Sequence, residues 1–233
     1  MSEPEHSPFV EMFNDPDRAA NYANGPGLFV PGFFDLHRMA NVLLREHVPA
    51  QASVLVHGAG GGLELDAFAR ANPEWRFVGV DPAQAMVDEA ERRLAYIQDR
   101  VRFHCGYIDD APVGPFDGAT SLLTLHFLDA DERRDTVRRI IERLKPGAPF
   151  IAVHSSFPQV GAAREVWLDR YKAYGVASGA DPDVAQMARA GVSDTIAVLD
   201  PEEDVRALQG AGLRNVELFY TAFTWRGWVG YAP

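Results

Sequence analysis

A chain of 233 residues with 47% hydrophobic and 24% charged side chains can bury the core of one large globular domain, and no apolar run approaches the roughly 20 residues that cross a bilayer. The net charge of -11 argues against a surface built for broad phosphate contact, because basic clusters such as Glu132 to Arg139 alternate with acids at helical spacing; a small-molecule partner is favoured over RNA or DNA, with no membrane partner. The single cysteine, Cys105, excludes an internal disulfide, and with no basic-then-apolar signal in "MSEPEHSPFVEMF" the expected compartment is the cytoplasm.

Residues 1 to about 30 are rich in Pro, Asn, Gly and Asp yet carry scattered aromatics, so they read as a loop or short-helix segment folded onto the domain. "FFDLHRMANVLLREH" from Phe33 to His47 predicts a helix with Phe34, Leu36, Met39, Val42 and Leu43 on its packed stripe and Leu44 at the edge of it. The chain then alternates: "SVLVHG" strand, "LELDAFARAN" helix, "RFVGVD" strand, "PAQAMVDEAERRLAYI" helix with Pro82 in its first turn, "VRFHCGYI" strand, "GATSLLTLHFL" strand, "ADERRDTVRRIIERL" helix, "PFIAVHSS" strand. Strands separated by helices of this length imply βαβ units and a mainly parallel sheet, an α/β doubly wound fold. Between Pro158 and Leu199 two helices interrupt the rhythm. After a further helix the end, "NVELFYTAFTWRGWVGYAP", predicts an antiparallel hairpin at the sheet edge.

The stretch "VLVHGAGGGLELDAFA" carries the chemistry. A dinucleotide fingerprint would put a glycine at Leu63, so a nicotinamide enzyme is disfavoured; what fits is G-x-G-x-G at Gly58, Gly60 and Gly62, where bare backbone lets a ligand approach a helix N-terminus. Here the chain resembles the class I S-adenosylmethionine-dependent methyltransferases over nearly its whole length. The resemblance implies a seven-stranded sheet in a single domain, with a cover over residues 1–48 and a helical insert over 158–199 acting as a cap. It implies S-adenosyl-L-methionine as cofactor, held by Gly58, Ala59, Gly60 and Gly62, by Asp81 on the ribose hydroxyls, and by Pro82 and Met86 beyond it. Adenine would meet Tyr107, Ile108 and Asp109, and Thr124 would border cofactor and acceptor. A helix cap is the competing role for Asp81. Where many members carry an acid two positions before the first glycine, this chain has Val56. The ammonium of the cofactor would then fall to backbone carbonyls or to Glu64 or Asp66, which otherwise serve the helix dipole.

"FVPGFFDLHRMANVLLRE", "LLTLHFLDADERR" and "AGLRNVELFYTAF" are also similar to the carboxy-S-adenosylmethionine synthase subgroup, in which an arginine of the insert binds the carboxylate; Arg189 lies near that position. Ordinary methyl transfer to a small-molecule acceptor is the main expectation, with that synthase and a non-catalytic cofactor-binding protein as alternatives. Tyr22, Phe33, Trp167 and Tyr171 are the expected acceptor pocket, and His126 or His154 could take a proton, although histidines bonded for structure and aromatics packed in the core compete with those roles. No two histidines have ligand spacing, so no metal is expected. The Trp-rich hairpin leaves room for a homodimer.

Overall fold

The computed structural model describes residues 8–233; the cover expected from residue 1 therefore begins at Pro8, and residues 1–7 lie outside the described part. The N-terminal segment folds as three short helices, α1 (Pro8–Phe13), α2 (Pro16–Asn21) and α3 (Pro26–Phe29). Proline opens each of the three. For α2 the Asp15 side chain also accepts the N–H groups of Asp17 and Arg18. The longer α4 (Phe33–Arg45) follows and leads into the sheet.

Five parallel strands come next: β1 (Ser53–His57), β2 (Arg76–Asp81), β3 (Val101–Cys105), β4 (Gly118–Leu122) and β5 (Pro149–Ser155). Helices α5 (Leu63–Ala71), α6 (Gln84–Arg93) and α7 (Ala130–Ile141) fill the connections β1–β2, β2–β3 and β4–β5. After the insert, α8 (Gly161–Ala177) and α9 (Pro182–Asp194), and after α10 (Pro201–Gly210), the chain closes with β6 (Arg214–Ala222) and β7 (Trp225–Tyr231). The strand order is β3-β2-β1-β4-β5-β7-β6, with β7 antiparallel to both neighbours. The predicted doubly wound, mainly parallel seven-stranded sheet and its C-terminal hairpin are what the chain forms. Among the described residues no helix is long and apolar enough to cross a membrane.

Two cores flank the sheet because adjacent strand residues face opposite ways. On β1, Val54 and Val56 join Leu36 and Leu44 of α4 and Leu65 and Phe68 of α5, whereas Leu55 joins Val137 and Ile140 of α7 and Leu208 of α10. The chain builds outward from β1 to β3, then returns to place β4 on the other side of β1. That reversal opens a crevice at the carboxyl ends of β1 and β4, where ligands of open α/β sheets bind.

Three expectations change. The packed face of α4 is Phe33, Leu36, His37, Ala40 and Leu44, while Phe34 and Val42 are exposed, so the stripe is rotated toward Phe33. Pro82 precedes α6, whose N-cap is Ala83, instead of lying in its first turn. The strand expected over "GATSLLTLHFL" stops at Leu122: Leu123 takes a φ of 58°, and Leu125–Phe127 forms a 3-10 turn.

That turn is held from behind by Arg133 of α7, a fully buried guanidinium. It donates to the carbonyls of Leu125 (3.0 Å), Leu128 (3.0 Å) and Ala197 (2.7 Å), and it pairs with the buried Asp204 of α10, which also meets His154 Nε2 at 3.0 Å. Removing one partner of a buried ion pair strands the other charge. Asp204→Ala is expected to cost about 3–5 kcal/mol in urea unfolding. A loss below about 1 kcal/mol would show the cluster to be relaxed or hydrated.

Candidate active site

At the carboxyl ends of β1, β2, β3 and β4 lies a cavity of about 390 Å³. The loop after β1 forms its floor, and three glycines with positive φ allow that path: Gly58 at 71°, Gly60 at 48° and Gly62 at 78°. Gly58 is the tightest: a Cβ there would fall 2.0 Å from Thr124 Oγ1, so the residue must be bare for the two loops to meet.

Asp81, at the end of β2, fastens this loop. Its Oδ2 accepts the Gly60 N–H at 2.8 Å and its Oδ1 accepts the Ala83 N–H at 3.0 Å. Burial pushes its carboxyl above the ordinary range, and the two backbone N–H groups pull the other way. Each oxygen keeps a second lone-pair direction for a ligand hydroxyl.

Of the residues nominated from sequence, Tyr22, Gly58, Gly60, Asp81, Pro82, Met86, Tyr107, Ile108, Asp109 and Thr124 all border the cavity. Asp109 is bound by its side chain to Arg139, so its carboxylate is partly spent. Ala59 and Gly62 do not border it. Ala59 is buried beneath the loop, and Gly62 opens α5 against Ala90 of α6.

A smaller cavity of about 30 Å³ lies beneath the loop, bordered by Tyr22, Phe33, His37, Glu64 and Leu123. Tyr22 and Leu123 border both spaces. Glu64, in the first turn of α5, is buried and accepts the Thr120 hydroxyl at 2.6 Å; burial pushes its carboxyl up to about 8 against that bond. Its companion Asp66 points elsewhere, to Arg70 and Tyr96. His57 borders the main cavity with Nδ1 3.0 Å from Ser121 Oγ, and burial lowers it to about 4, as it does His37.

The expected proton acceptors lie outside both cavities. His126 and His154 border neither cavity: both are buried, His126 Nδ1 accepting the Ser155 N–H at 3.3 Å and His154 bound to Asp204. Burial lowers both of them. Of the insert expected to act as a cap, Trp167, Tyr171 and Arg189 reach neither cavity. Tyr171 stacks on Phe29 at 5.2 Å, Trp167 lies under the Arg170 guanidinium at 4.6 Å, and Arg189 pairs with Glu165 (2.7 Å) and Asp169 (2.9 Å). The bare Gly175 of α8 admits the Phe29 ring, so the insert docks on α3 and the N-terminal segment rather than over the cavity.

The wall that the insert does not supply comes from α1 and the turn after β4. Phe9 and Phe13 meet Phe127 at centroid distances of 4.6 and 5.9 Å, and Phe13 meets Tyr22 at 6.0 Å. Phe9 and Phe13 stand four apart, the helical spacing that could have nominated them, whereas nothing local in sequence marks Phe127 as their partner.

Residues 54–147 match the family described as "Methyltransferase domain". The chain is 21% identical over 206 residues to the carboxy-S-adenosyl-L-methionine synthase of Campylobacter curvus (strain 525.92), covering 88% of this chain and 86% of that protein. In fold it is similar to a putative O-methyltransferase from Nostoc punctiforme PCC 73102 (TM-score 0.67, 20% identity, 98% of this chain, 61% of that one). It is likewise similar to PigF solved with SAH (TM-score 0.68, 18% identity, 97% and 63%). The chain thus spans about three fifths of the length of these structural neighbours. Residues 54–147, which carry that domain match, contain the glycine loop and Asp81, and the sheet order is that of a doubly wound α/β fold.

Because the Glu64 carboxyl is raised from 4.5 to about 8 in the folded chain, its contribution to stability is fully present below about 4.5 and is lost as pH rises through about 8. The stability difference between wild type and Glu64→Gln, followed by urea unfolding without ligand, should shift in favour of the variant across that window. A difference that stays flat with pH would show that Glu64 is solvated.

Proposed function

We propose that this protein transfers a methyl group from S-adenosyl-L-methionine to a small-molecule acceptor. The carrying observation is the loop of Gly58 and Gly60, fastened to Asp81 and open to a cavity walled by apolar side chains and carboxylates. The residues fit the group. Asp81 has lone pairs free for two ribose hydroxyls, Met86 and Ile108 offer apolar contact to a base, and bare backbone faces the loop side. Among the described residues neither cavity is bordered by Lys or Arg, whereas Asp81, Asp109, Glu132 and Glu64 are present, an environment suited to a cationic ligand.

When bound, the cofactor supplies a methyl group already activated on a sulfonium sulfur, so the chain's task is alignment and exclusion of water. Tyr22 and Leu123 stand where the two cavities adjoin, and Phe9, Phe13 and Phe127 close one wall against solvent. With His126 and His154 bonded elsewhere, no buried histidine pair serves as base. His57 is the imidazole that borders the cavity, and it is held neutral.

A second reading, a carboxylated cofactor as the Campylobacter curvus relative's name implies, has that relative's near full-length match in its favour. It requires a cation for the added carboxylate, and Arg189 is committed to Glu165 and Asp169. A cofactor-binding protein without chemistry is the remaining alternative, and turnover with any acceptor would decide against it.

Mass spectrometry of small molecules released from the purified protein, beside calorimetric titration with S-adenosylhomocysteine, tests the reading. Adenosyl ligands at micromolar affinity are expected; a carboxylated derivative among those released would move the assignment to the synthase. Asp81→Asn should weaken S-adenosylhomocysteine roughly 10- to 100-fold, the worth of charged hydrogen bonds at about 1.5–3 kcal/mol. Unchanged affinity would remove Asp81 from the site.

A further inference from the structure

Glu64 is a carboxyl without a cation. It is 6% exposed, its Oε1 takes the Thr120 hydroxyl at 2.6 Å, and it pairs with no Lys, Arg or His among the described residues. Its place in the sheet is defined: Thr120 is the register partner of Val56, so the carboxyl stands over the β1–β4 crevice, at the end of β1 and under the glycine loop. The groups around it bring no positive charge. Tyr22, from the turn after α2, and His37, from α4, border the same small cavity; burial holds His37 neutral and raises the Tyr22 hydroxyl, with Asp81 and Glu64 adding to that rise. Arg93 of α6 reaches the loop but is occupied by the Gly61 carbonyl (2.7 Å) and Glu89. A buried carboxyl among aromatic rings with no cationic partner is costly to ionise unless a ligand supplies the opposite charge.

We propose that the small cavity is an ammonium site and that Glu64 binds the amino group of the cofactor's amino-acid end, giving up its own proton as it does so. This rests on the cofactor reading above. The balance is simple: the Glu64 O–H bond breaks, the proton leaves to solvent, and the resulting carboxylate pairs with a ligand ammonium that keeps its three hydrogens. Burial places Glu64 at about 8, so near pH 7 the empty site is mostly protonated and binding releases close to one proton.

The test is calorimetry of the full chain at pH 7 with S-adenosylhomocysteine and with its deamino analogue, which lacks the ammonium, each in phosphate and in Tris. The expected result is a binding enthalpy that differs between buffers by about one proton's ionisation for S-adenosylhomocysteine and does not differ for the analogue. Glu64→Gln should abolish the difference and weaken S-adenosylhomocysteine at least tenfold, while leaving the analogue's affinity unchanged. Buffer-independent enthalpy for S-adenosylhomocysteine, equal release by both ligands, or wild-type affinity in Glu64→Gln would each overturn the proposal. Should Glu64→Gln fail to fold, the two-ligand comparison on the wild-type chain decides alone. Failure of both ligands to bind would instead sink the cofactor reading.

Discussion

The Asp81 carboxylate, with one oxygen on the Gly60 N–H and the other on the Ala83 N–H, is the constraint on which the site depends. It ties the loop leaving β1 to the start of the segment entering α6, so two elements that diverge from the sheet are referenced to one rigid group. Backbone bonds from Gly58 and Ala59 to the Val80 carbonyl, at 2.8 and 3.0 Å, add a second seam beside it. A side chain at Gly58 would break that arrangement from the other side, because Thr124 already occupies the space. The loop is therefore defined before any ligand arrives, and little ordering cost is left for binding to meet.

Around this frame the titratable groups are kept uncharged by burial. Glu64 is raised, and His37 and His57 are lowered, each chiefly because water is excluded. The other acids that border the crevice are the buried Asp81, which holds two backbone N–H groups, and the more exposed Asp109 and Glu132, with Arg139 paired to Asp109.

Much of the frame was legible in the chain because it depends on local patterns. Alternating strands and helices, glycine at the strand-to-helix turn and the acid ending "RFVGVD" are readable within a few residues, and they gave the sheet, the turn after β1 and the position of Asp81 at the end of β2. What escaped depends on distant partners. His126 and His154 look like free bases until Ser155, Asp204 and Arg133 are placed around them. Trp167 and Tyr171 look like pocket walls until the missing side chain of Gly175 lets Phe29 draw the insert onto α3. Glu64 and Asp66 look equivalent as substitutes for the acid absent at Val56 until Thr120 is found bonded to Glu64 and Arg70 to Asp66. The strand read through "LLTLHFL" failed on backbone geometry alone, since the positive φ of Leu123 leaves no trace in composition.

The buried guanidinium of Arg133 has a further consequence. The turn that carries Phe127 and Leu128 into the cavity wall hangs from it, while its own anchors, Asp204 and the Ala197 carbonyl, belong to α10 and the chain just before it. Substitutions on that remote helix can retune the wall without altering any residue that touches a ligand. Related chains can therefore diverge in what they accept while their lining residues stay the same, and comparison of pocket residues alone would miss the change.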